Sequence, residues 1–85
     1  MEQEQLELTA YLQDVMNQIK ILQSRASKRN KTKKFKAIAS MLTITWSRAN
    51  ATYNYVKAGG HGDFSVIIQQ HMYDPIIQWL ESEIA

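Results

Sequence analysis

Residues 35–56, FKAIASMLTITWSRANATYNYV, decide the fold. Phe35, Ala39, Leu42, Trp46, Ala49, Tyr53 and Val56 follow one another at alternating steps of four and three. On an α-helix that spacing lines up a single apolar seam. Ile38, Met41 and Ile44 lie off the seam, so the first half is apolar on more than one side. That is the pattern of a helix around which others pack. Within it, Leu42-Thr43-Ile44-Thr45-Trp46 alternates apolar with β-branched polar residues, which is also a strand signature. The seam nevertheless persists for 22 residues without Gly or Pro, and strands rarely run that long. The stretch reads as a helix.

Upstream, a first helix is expected from about Glu4 to Ala26. Leu8, Leu12, Val15, Ile19, Leu22 and Ala26 repeat the four-three step, a heptad-like rhythm that favours shallow, coiled-coil-like packing. Tyr11 and Met16 flank this seam and widen it. Residues 27–34 contain no apolar side chain and form the connection, with Thr32 or Asn30 as the cap of the second helix. A short connection there makes helices one and two antiparallel neighbours.

Downstream, Lys57-Ala58-Gly59-Gly60-His61-Gly62 is a helix stop. Asp63 is the expected cap of a third helix starting near Phe64, with apolar positions Phe64, Ile67, Ile68, Met72, Ile76, Trp79, Leu80 and Ile84. Pro75 falls inside this pattern. Asp74-Pro75 makes a cap and first-position pair, so a break at 74 and a short fourth helix are expected. The fold class is all-α, one domain over residues 1–85, a bundle of three helices or of four with the Pro75 break.

Eighty-five residues bury a thin core, and the absence of cysteine rules out a disulfide or a thiolate metal site to reinforce it. Oligomerisation is the remaining common remedy. The chain opens without a signal-peptide pattern and no apolar run is long enough to span a bilayer, so a cytoplasmic, membrane-free protein is expected. Such a compact chain would suit a phage or mobile-element accessory protein. Its net charge of +2 conceals three blocks: residues 1–24 carry −3, residues 25–57 carry +9 and residues 58–85 carry −4.

The basic block peaks at Arg25, Lys28, Arg29, Lys31, Lys33, Lys34 and Lys36, seven positive charges in twelve residues. Placed around the start of helix two, whose free N–H groups also attract anions, they fit a nucleic-acid phosphate backbone or an acidic protein. The bland reading is a solvated loop. Aromatic interleaving of a stacking platform is missing, and the glycine-free basic junction does not suit a helix-turn-helix.

Gly59-Gly60-His61-Gly62-Asp63 lacks the Gly-Lys-Ser/Thr and the preceding strand of a phosphate loop. His61 and His71 are ten residues apart across a helix cap, which is no zinc spacing. With no cysteine and acids confined to the terminal blocks, no catalytic, cofactor-binding or metal residue is assigned, and an enzyme is the least expected class. Thirty large apolar residues exceed what three short helices hide. Trp46, Met41, Met72, Trp79 and Tyr53 could line a partner groove, and Ile21, Ile44 and Ile77 fall off the best seams. The expected oligomer or partner interface comprises Leu8, Leu12, Val15, Ile19, Leu22, Trp46 and Trp79. Two functions remain: a non-enzymatic protein-interaction or regulatory module, an adaptor or inhibitor, and a nucleic-acid-binding protein.

Overall fold

The computed structural model describes residues 2–28, 32–60 and 65–84. They form three α-helices: α1 (Glu2–Ser27), α2 (Lys33–Lys57) and α3 (Val66–Ile84). The bundle is elongated, 45 × 19 × 16 Å. Its topology is up-down-up. Gln5 of α1 donates from Nε2 to the Val56 carbonyl near the end of α2 at 2.7 Å. Tyr11 of α1 donates to Asp74 Oδ1 of α3 at 2.6 Å. Lys34 at the start of α2 pairs with Glu83 at the end of α3 at 2.8 Å.

Each helix start and stop has a chemical cause. The Thr32 hydroxyl accepts from the Phe35 N–H, as the N-cap of α2. At the other end Gly59, with φ of 93°, takes the left-handed conformation that an L side chain resists. The Gly59 and Gly60 N–H groups then bond the Val56 and Tyr55 carbonyls, closing the last turn. Ser65 caps α3, its Oγ accepting from the Ile68 N–H at 3.1 Å. The expected cap Asp63, like Asn30, His61 and Phe64, lies outside the described residues.

The α1 seam is buried as expected: Leu8, Leu12, Val15, Ile19, Leu22 and Ala26, joined by Met16. Burying each large aliphatic chain contributes about 1.5–3 kcal/mol, so this stripe dominates the core. The expectation that α2 is the hub is corrected. α1 packs along both other helices, while α2 and α3 meet each other far less. The extra width supplied by Met16 and the half-buried Tyr11 lets α1 serve two neighbours at once.

On α2 the buried stripe is Ile38, Leu42, Thr45, Ala49 and Val56. It is turned slightly from the expected seam: Ala39 is exposed, and Phe35, Trp46 and Tyr53 are half-buried at the margin. Leu42 and Thr45 share one buried side at helical spacing, which excludes the strand reading. The Thr45 hydroxyl is satisfied by donating to the Met41 carbonyl at 2.7 Å.

The break at Pro75 does not occur, and α3 runs through it. Gln69, Tyr73, Ile77, Leu80 and Ile84 form one buried stripe across the proline. A break would throw the two halves out of phase on α1, so packing outweighs the backbone bond that proline cannot make. This stripe matches the expected one only in part: Leu80 and Ile84 are buried as expected, and Ile76 is half-buried against the core. Ile77, read as off-seam, is buried, while Ile67, Ile68, Met72 and Trp79 are exposed.

Candidate functional site

The basic cluster collects at one end of the bundle. Arg25 and Lys28 lie at the end of α1, Lys33, Lys34 and Lys36 at the start of α2, and all five are exposed. Arg29 and Lys31 lie outside the described residues. The acidic end of α3 reaches the same place, where Glu83 neutralises Lys34. Among the described residues this is the one ion pair, which leaves Arg25, Lys28, Lys33 and Lys36 facing solvent.

The five α1 residues expected at a partner interface are placed differently. Leu8, Leu12, Val15, Ile19 and Leu22 are 0–3% exposed within the single chain. α2 and α3 already cover them, so they offer no surface to a partner. Trp46 is also turned inward, toward α1, with Lys20 Nζ 4.8 Å above its ring centre. Tyr53 belongs to that side too, beside Gln5, Leu6 and Thr9 in an open cleft between α1 and α2.

Trp79 remains, and it has company. It is 50% exposed and shares a cleft of about 320 Å³ with Lys34, Ala37, Ile38, Met41 and Glu83. This cleft lies between α2 and α3. Ile38 is its buried floor, Met41 and Trp79 are its apolar walls, and the Lys34–Glu83 pair stands at one end. Met72 and Ile68, seven and eleven residues before Trp79, continue the same side of α3. Ile44, one turn after Met41, extends the apolar surface outward on α2. All three are exposed. The result is an apolar face built from α2 and α3 on the side away from α1.

Met41, Met72 and Trp79 were identifiable as groove residues from composition, and Ile44 as an off-seam position. Ile68 was missed. The adjacent pair Ile67-Ile68 was the available signal, because large apolar neighbours about 100° apart spread the apolar arc beyond a single stripe.

The remaining polar groups have structural partners or none that suggest chemistry. His71 is exposed on α3, and Asp74 accepts the Tyr11 bond. Among the described residues no three His, Cys, Asp or Glu side chains converge as a metal ion requires. No helix among them is long and apolar enough to cross a membrane.

Comparison with known proteins adds nothing to this geometry. No family model, curated protein or solved structure matches the chain.

Proposed function

We propose that the chain is a small, non-enzymatic protein-interaction module, an adaptor or inhibitor, that acts through the α2–α3 face. One observation carries the reading. The core is filled by one set of residues, and of the nine large apolar side chains exposed among the described residues five, Met41, Ile44, Ile68, Met72 and Trp79, gather on one side, while Leu6, Ile21, Tyr55 and Ile67 lie elsewhere. Trp and Met are enriched at interface centres, and a contiguous exposed apolar patch on a small protein marks a contact surface.

Photo-cross-linking in cells that produce the chain tests this. A cross-linking side chain in place of Met72 or Trp79 is expected to capture protein, whereas one in place of exposed Gln13 on α1 is not. Equal yields from all three positions, or none, would overturn the reading.

A second reading is favoured by Arg25, Lys28, Lys33 and Lys36, which surround the start of α2 without a partner among the described residues. They would hold a nucleic-acid phosphate backbone by charge. Binding to generic oligonucleotides that falls steeply with salt would support it. Absence of binding at low salt would remove it.

A further inference from the structure

We infer that the occupant of the α2–α3 face is a second copy of this chain, paired about a two-fold axis that runs along the bundle. Each copy's α2 then lies over the other's α3. This rests on the interaction-module reading and names its partner.

Area and charge both point there. The whole of this side, 45 Å long and 16–19 Å across, projects about 700–850 Å², so a second copy that covered all of it would reach the ~800 Å² per partner that a stable interface buries. A closed two-fold pair uses the same patch twice and needs no other surface. Charge then selects the orientation. α2 as a whole carries Lys and Arg and no acid, and α3 carries acids and no Lys or Arg. Asp74 and Lys57 are turned toward α1, and Lys34 and Glu83 are the charges that stand at the α2–α3 cleft.

An axis across the bundle would lay α2 on α2, like charge on like, which an interface avoids. An axis along the bundle lays α2 on α3 instead. It also keeps the start of one level with the end of the other, the level at which Lys34 already meets Glu83 within a chain. Lys33, exposed and without an ion-pair partner among the described residues, is then brought to the second copy's acidic α3 end. The Met41–Trp79 cleft lies within the contact, next to that charged level.

Sedimentation equilibrium of the purified chain is the test, at concentrations up to the order of 100 µM. A dimer is expected. Trp79→Glu and Met41→Glu should each weaken it by roughly tenfold or more, with helical circular dichroism unchanged because both side chains lie outside the core. Lys33→Glu and Glu83→Lys should each weaken self-association, and their equimolar mixture should restore it, since both cross-copy contacts are again opposite in sign. A monomeric wild type, a dimer indifferent to Trp79→Glu, or a mixture that stays monomeric overturns the proposal. A monomer that still captures another protein from position 79 overturns only the second copy. A monomer that captures nothing overturns the interaction-module reading as well.

Discussion

Tyr11 and Tyr73 differ in how their hydroxyls are held, and the difference is measurable. Tyr11 donates to Asp74, and burial together with that carboxylate raises its pKa far above the ordinary 10.0. Tyr73 is 1% exposed, and burial raises its pKa as well, with the nearby Arg48 charge pulling it partway back. Its hydroxyl reaches no hydrogen-bond partner among the described residues. Both groups fold more easily as the neutral phenol. The stability they contribute is therefore complete below pH 10 and is lost as pH rises above 10 toward their folded values. Thermal melts from pH 8 upward should be flat to about pH 10 and then fall, less steeply for Tyr11→Phe. At neutral pH, Tyr11→Phe should cost about 1 kcal/mol, while Tyr73→Phe should stay within about 0.5 kcal/mol because no bond is lost.

α3 is the element on which sequence and structure part, and its two apolar sides explain why. α1 was legible because its apolar residues, Leu6 and Ile21 apart, fall on one stripe, and the four-three rhythm then admits one buried face. α3 has two candidate stripes, Ile68, Met72 and Trp79 against Tyr73, Ile77, Leu80 and Ile84. Hydrophobicity alone favours neither. The chain buries the stripe that includes Gln69, whose Oε1 lacks a partner among the described residues, because four apolar neighbours in phase outweigh one polar group. Charge was legible in the same direct way. The positions of Lys33, Lys34 and Lys36 follow from the cap at Thr32, but their closeness to Glu83 depends on topology that no local pattern carries. Pro75 gives the element-scale prediction. It is held in the helix interior by packing, so Pro75→Ala restores a backbone donor without touching the buried stripe. The variant should be more stable by on the order of 1–3 kcal/mol, read from denaturant unfolding with an unchanged slope.

At the scale of the whole molecule, the bundle has a hub and two dependants rather than three equal members. α1 meets α2 along its length and carries the Gln5 bond to Val56, while α3 meets mainly α1 and is tied by the Tyr11 bond and the Lys34–Glu83 pair. The apolar patch left outside the core at Met41 and Trp79 is shared by the two helices that touch each other least, which is where a partner adds most. The unequal attachment also sets an order of release. Native-state hydrogen exchange should resolve two cooperative units, an α1–α2 hairpin whose amides are the last to exchange and an α3 that opens first. In the monomeric Trp79→Glu variant the gap between the two should be plain, and uniform exchange of all three helices would contradict it. The same hierarchy predicts a birth order at the ribosome: the hairpin, complete in the first 57 residues, can close before α3 has left the exit tunnel.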